Sequence, residues 1–334
     1  ETITIFRSSV VQKPGPPLIA GPQDIHRMTA RADNAKNGIR GSISRRAVVV
    51  ALLTLAGGCA TTPYRYGVSF EDPRAGSPLT AEEQIVRGRP HWLLDRSDCI
   101  WPGSWLGKLV LWDRRVDNHT IGPETEEVLR RYLAANELCH VKVRLNAYHV
   151  RDEWRRLVGN RSVGAGWRYT LGVLSWLQYT LLPGRFFGGD HYNPYTNTIH
   201  LYSDIPAIAV HEAGHSKDFA GRRWKGAYAF VYLFPLVSLY HEARATNDAL
   251  GYLRDAESPA LQREGYRILY PAYGTYLGGG VGDFVPVFGT GVVIAAIAGG
   301  HVLGRIQAGA IADSPAPAAV EASPASSSVM ESDP

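Results

Sequence analysis

The stretch Tyr192–His215, YNPYTNTIHLYSDIPAIAVHEAGH, carries a strand, a turn and a chemically loaded helix in direct succession. After the turn residues Asn193 and Pro194, Ile199 and Leu201 fall on one side of a period-two alternation, and Thr198, His200 and Tyr202 on the other. That pattern predicts a half-buried strand. Ser203 and Asp204 offer helix-capping oxygens, Pro206 suits a first helical turn, and Ala207–Val210 predicts a buried helix bearing HEAGH at 211–215. On a helix, residues four apart stand about 40° apart around the axis and about 6 Å along it, so the imidazoles of His211 and His215 can reach one metal ion. Glu212 leaves the helix roughly 100° round from His211 and cannot be a ligand there; it is set beside the ion, where a carboxylate can take a proton from a bound water.

Two histidines leave a catalytic metal under-ligated, because such sites take three protein ligands and keep one position for water. Glu242, in YHEARATNDAL at 240–250, is the best candidate for the third. Ala245 and Ala249 follow it at three and seven residues, a small-residue face that allows its helix to approach the first closely. Asp218, His241 and Asp248 compete for the same role.

In these residues the sequence resembles the gluzincin branch of zinc metallopeptidases, in which HExxH on one helix is completed by a glutamate on a later helix. The resemblance covers about Tyr192 to Leu253 and rests on HEAGH and on EARA at 242–245. It implies Zn2+ held by His211, His215 and Glu242, with Glu212 as base and proton shuttle. It implies a peptide or protein substrate lying extended along the strand around Ile199 by main-chain pairing. Zinc would lower the pKa of its water from 15.7 to about 7 and polarise the scissile carbonyl, and Glu212 would pass the proton on to the leaving amine. Some gluzincins supply a further His or Tyr downstream, where Tyr266, Tyr270, Tyr273, Tyr276 and His301 stand here. The sequence departs from many gluzincins at Thr246, where an aspartate usually follows the ligand glutamate by four. Asp248 or Asp218 is then the substitute partner for a ligand histidine.

Toward the amino end, Met28 precedes a basic stretch with Arg31, Lys36, Arg40, Arg45 and Arg46, then the apolar run Ala47–Ala56 and Gly57, Gly58, Cys59. This is the order of an export signal. LAGGC at 55–59 resembles a bacterial lipobox, which implies lipidation at Cys59 and a place in the bacterial cell envelope, on the periplasmic or outer-surface side. Pro-rich residues 1–27 read as an extension ahead of that signal. In an exported chain Cys99 and Cys139 can form a disulfide or remain two buried thiols. The net charge of +4 is small for 334 residues and does not point to nucleic acid.

Ahead of the motif the chain reads strand, helix, strand. Leu109–Trp112 is apolar, Pro123 opens a helix with the apolar stripe Val128, Leu129, Tyr132 and Leu133, and Val141, Val143 and Leu145 alternate with polar residues as a strand with one wet face. Three apolar stretches stand apart: Leu171–Pro183, Ala227–Tyr240 and Phe284–Gly304. The first two are short for a membrane span of about 20 residues; the third is long enough, and reads either as a lipid-inserted segment or as a buried hairpin.

The expectation is an α+β fold, a small mixed sheet followed by zincin-like active-site helices, with a C-terminal glycine-rich apolar hairpin or membrane segment. Its parts are a leader over 1–58, a linker over 59–85, a catalytic domain over 86–265, the glycine-rich apolar segment over 266–311 and a disordered tail over 312–334. The function expected is a zinc metallopeptidase anchored through Cys59, with Phe284–Gly304 as a further lipid contact. A non-catalytic envelope lipoprotein keeping a zincin scaffold for binding or assembly is the alternative, and a glycine-rich membrane scaffold with an accidental HEAGH is a third.

Overall fold

Along the chain run α1 (Ala81–Gln84), β1 (Ile85–Arg87), α2 (Pro102–Leu111), α3 (Pro123–Ala135), β2 (Lys142–Leu145), α4 (Val150–Gly159) and α5 (Ala165–Trp167). A π-helical turn at Arg168–Gly172 leads into α6 (Val173–Leu181), then α7 (Gly184–Phe187), β3 (His191–Asn193) and β4 (Thr198–Leu201). The helices α8 (Pro206–Ala220), α9 (Lys225–Val231), α10 (Pro235–Ala256), α11 (Pro259–Gly282) and α12 (Gly289–Gly309) complete the order. This computed structural model describes residues 63–312 apart from 69–71, 73, 76, 90, 94, 96–101, 188 and 283–288. The leader, Cys59, Cys99, Phe284 and the tail from 313 lie outside the described residues.

The architecture is mixed α+β, mostly helical, around a four-stranded sheet in the order β1-β2-β4-β3. β1, β2 and β4 run parallel, with Val143 opposite Ile199, and β3 is antiparallel to β4, with His191 opposite His200. The β3–β4 turn is made by Asn197, which takes a positive φ of 53° that asparagine tolerates. The strand around Ile199 is therefore an interior strand, not the expected edge; the edge beside it is β3.

One face of the sheet, Val143, Leu145, Ile199 and Leu201, packs with the α3 stripe Val128, Leu129, Tyr132 and Leu133 and with Ala209, Val210 and Ala213 of α8. The other face departs from the wet surface that alternation predicts. Both β2 and β4 are buried on both sides, because α4 lays Glu153 over Arg144 and the Tyr179 ring covers His200 at 4.8 Å. Alternation locates the polar side chains, but they meet charged and aromatic partners instead of water.

Two further expectations fail for local reasons. Leu109–Trp112 is not a strand: Leu109–Leu111 end α2, since a run this short has no period of its own and belongs to a helix begun at Pro102. Nor do Ser203 and Asp204 cap α8, whose N-cap is Ile205 with no side-chain bond. Asp204 instead accepts the Gly122 N–H at 2.8 Å and the Thr125 hydroxyl at 2.6 Å at the start of α3, while Ser203 Oγ accepts the Asp117 N–H at 2.8 Å. Pro206 does open the helix. α11 runs through residues 265 and 266, so the glycine-rich segment begins inside a helix.

Candidate metal centre

α8 and α10 touch backbone to backbone. A Cβ on Gly214 would lie 3.1 Å from the Ala245 carbonyl oxygen and 3.3 Å from its Cα, and Ala245 and Ala249 are fully buried. The small residues within HEAGH and EARA thus set the separation of the two helices. That separation brings together His211, His215 and Glu242, whose ligating atoms all lie within 4.8 Å of one another and whose residues are all buried.

The Nε2 atoms of His211 and His215 lie 3.1 and 3.4 Å from the same carboxylate oxygen, Oε2 of Glu242. Metal–ligand bonds of about 2.0–2.1 Å in a tetrahedron give edges of about 3.3 Å, which these two distances match. Two imidazoles and a carboxylate suit zinc and also other first-row divalent cations. The competitors stand elsewhere. Asp218 accepts from Arg222 and Arg244, each at 2.7 Å, and from the Tyr228 hydroxyl. Asp248 pairs with Lys217 at 2.9 Å and accepts from Tyr132. The His241 ring is packed 4.2 Å from that of Tyr228 and 4.5 Å from that of Tyr232.

Neither Asp248 nor Asp218 therefore bonds the ring of His211 or His215. Thr246 stands in that place: its Oγ1 lies 3.4 Å from His211 Nδ1, the ring nitrogen opposite the one aimed at Glu242. Tyr232 is a member of the site that no motif or spacing announces. Its hydroxyl donates to Glu242 Oε1, leaving Oε2 for the two imidazoles. Burial alone would raise the Glu242 pKa, but the charges and hydrogen bonds of His215 and His211 outweigh it and hold the carboxyl well below the usual range.

Glu212 is buried beside the triad and accepts the Tyr192 backbone N–H from the edge strand β3. Its pKa is pushed up to about 8, first by burial, with the charges of Glu242 and Asp190 adding and His211 opposing. A carboxylate with that proton affinity suits a proton acceptor working near neutral pH. Of the downstream aromatic and histidine candidates, Tyr276, itself 43% exposed, feels the carboxylates: the charge of Glu242 foremost, and that of Glu212, keep its phenol protonated. Tyr266 and Tyr270 join the core, Tyr273 donates to the Leu239 carbonyl at 3.5 Å, and His301 Nε2 lies 2.7 Å from the Val110 carbonyl.

Compared with protein-family models, curated proteins and solved structures, the chain matches none of them.

Proposed function

We propose that the chain is a zinc-dependent metallopeptidase of gluzincin type. The observation that carries this reading is the convergence of His211 Nε2 and His215 Nε2 on one oxygen of Glu242, with the proton-avid Glu212 buried beside them. His211, His215 and Glu242 would hold the ion and Tyr232 would orient Glu242. Zinc bound there supplies a water acidic enough to ionise near neutral pH and a Lewis acid for the scissile carbonyl. Glu212 would act as the base toward a water held there and would pass the proton on to the leaving amine. An antiparallel edge strand next to the motif helix favours a zincin-like arrangement, and β3 takes over from the strand around Ile199 as the strand an extended peptide would pair with.

The same reading keeps the chain at a bacterial envelope membrane, lipidated at Cys59 and facing the periplasm or the outer surface. The length and composition of α12 support a lipid contact.

Metal analysis and peptide cleavage on purified full-length protein test the function. The expected result is about one zinc per chain, cleavage of peptide, and a Glu212→Gln variant that keeps zinc and loses cleavage. Zinc without cleavage of any peptide in a diverse library would turn the reading to a binding lipoprotein on the same scaffold. A chain purified from zinc-supplemented medium without metal would reduce HEAGH to an accident.

A further inference from the structure

Each of the three apolar stretches leaves large side chains uncovered in the fold. α6 exposes Leu174, Leu177 and Leu181; the connection from α9 to α10 exposes Leu233 at 65% and Phe234 at 52%, the Phe234 ring 5.7 Å from that of Phe230; α12 exposes Ile294 at 63%. Among the described residues α12 is the one helix long and apolar enough to cross a membrane.

The two halves of α12 are held differently. Its C-terminal half is fixed in the protein along one side, although Val302 and Ile306 face outward: Gly300 and Gly304 press on the backbone of Tyr270 and Tyr266, His301 bonds the Val110 carbonyl, and Leu303 and Ala308 pack with the main core. Charged groups stand beside this half, with Arg263 donating to the Ile311 carbonyl and Glu264 paired with Arg115, and to cross hydrocarbon it would have to carry them in. The N-terminal half, Gly289–Gly299, lies along α11, with Gly278 against Val293 and Gly274 against Ala296. Its length is about 15 Å, half of a hydrocarbon core of about 30 Å. Between Arg267 and Arg305 the sequence carries a single charged residue, Asp283. At the junction of the halves Trp112 stacks on His301 at 4.1 Å and Arg305 lies 4.6 Å over the Trp112 ring, the residue types that favour a membrane–water boundary.

We propose that α11 and α12 enter one leaflet of a lipid bilayer without crossing it, with the α9–α10 connection against the same lipid surface. The metal centre then works at the level of the lipid. Leu239, one turn before Glu242, receives the Tyr273 hydroxyl, and the next residue, Gly274, packs on Ala296 in the free half of α12. Tyr232, which bonds Glu242, adjoins the exposed Leu233. Resting on the peptidase reading, this placement names the substrate class: polypeptide segments tethered to or lying in a membrane, not peptides free in water.

Flotation of the mature Cys59→Ser chain, begun at residue 59 without the apolar leader, with vesicles of phosphatidylethanolamine and phosphatidylglycerol tests the insertion without the lipid anchor. The parent should float with the vesicles. Ile294→Asp should lower the bound fraction about tenfold and Leu233→Asp about threefold, both with zinc content unchanged as the check on folding. A nitroxide at Thr290→Cys, in a chain whose other cysteines are serine, should be reached by oxygen and shielded from a water-soluble nickel chelate on either side of the vesicle. A label reached by chelate from the side opposite the protein shows a full crossing and overturns the proposal. So does unchanged flotation of both aspartate variants, or a parent that purifies as a dimer and that Ile294→Asp turns into a monomer with lipid binding intact. Cleavage of a vesicle-tethered peptide should fall in Ile294→Asp while cleavage of the same peptide in solution holds; absence of both activities in the parent sinks the peptidase reading, and flotation still decides the insertion.

Discussion

Two of the places where buried polar side chains gather in this molecule handle charge in opposite ways. Over the polar face of the sheet, Arg144 Nε donates to Glu153 at 2.7 Å, a second guanidinium nitrogen reaches Asp152, and His200 Nε2 stands 3.8 Å from Glu153. The Arg144 guanidinium there meets a carboxylate on each of two sides. At the candidate metal centre two imidazole nitrogens point at one carboxylate oxygen, and a second carboxylate, Glu212, lies beside them with no Lys or Arg partner among the described residues. Pairing of opposite charges closes a site; convergence of lone-pair donors on one point suits a cation. The first centre should therefore govern stability and the second should govern metal and chemistry.

The largest effects should arise at the second centre. Glu212→Gln should lower kcat by about 10³-fold, the scale of a lost general base, with zinc still bound and the denaturation midpoint unmoved. Glu242→Ala and His211→Ala should reduce zinc per chain by at least about tenfold, read by elemental analysis after dialysis. Full zinc occupancy in Glu242→Ala would move the third ligand to another residue and erase the contrast between the centres.

The first centre answers to a different measurement. Glu153→Ala leaves the buried Arg144 guanidinium with only the half-exposed Asp152 carboxylate and should cost about 3 kcal/mol by chemical denaturation, while zinc per folded chain stays constant. Zinc lost from the folded variant would show that the two centres are one unit. Acid sharpens the test. Burial would raise the Glu153 pKa, but His200 and Arg144 outweigh it and hold the folded value well below the ordinary 4.5. A depressed folded pKa means that protons bind the unfolded chain more tightly, so the contribution is complete above about pH 4.5 and is lost as pH falls toward the folded value. Unfolding midpoints should drop below that pH in the parent and drop less steeply in Glu153→Gln; parallel curves would rule out Glu153 as the group responsible.

The two centres also differ in how far they are legible in the sequence. The triad rests on helical geometry, which is local: four-residue spacing aligns His211 with His215, and Gly214, Ala245 and Ala249 announce how near the second helix comes. The polar face of β2 and β4 reads as wet because alternation reports which side chains share a face and not what covers it. Strand order is non-local too, so the strand around Ile199 can be recognised without its interior place being known. Tyr232 escapes for a related reason. It reaches Glu242 from ten residues upstream across the break between α9 and α10, a distance no periodicity encodes.

The smallest expected effect tests the finest part of the contrast, whether the metal centre is tuned by residues that never touch an ion. Thr246 occupies the position where the resemblance would put an aspartate, and its hydroxyl is 3.4 Å from His211 Nδ1. A hydroxyl can accept the ring N–H and so favour the tautomer whose Nε2 is free to bind, but it lacks the charge of a carboxylate and should orient the ring more weakly. Thr246→Val keeps the volume and removes that acceptor. Zinc affinity, measured by competition with a chromogenic chelator, should fall by about tenfold in Thr246→Val and recover in Thr246→Ser. Equal affinity in Thr246→Val would mean that packing by α10 alone holds the imidazole, and the Thr246 contact would then be a neighbour of the site without a part in it.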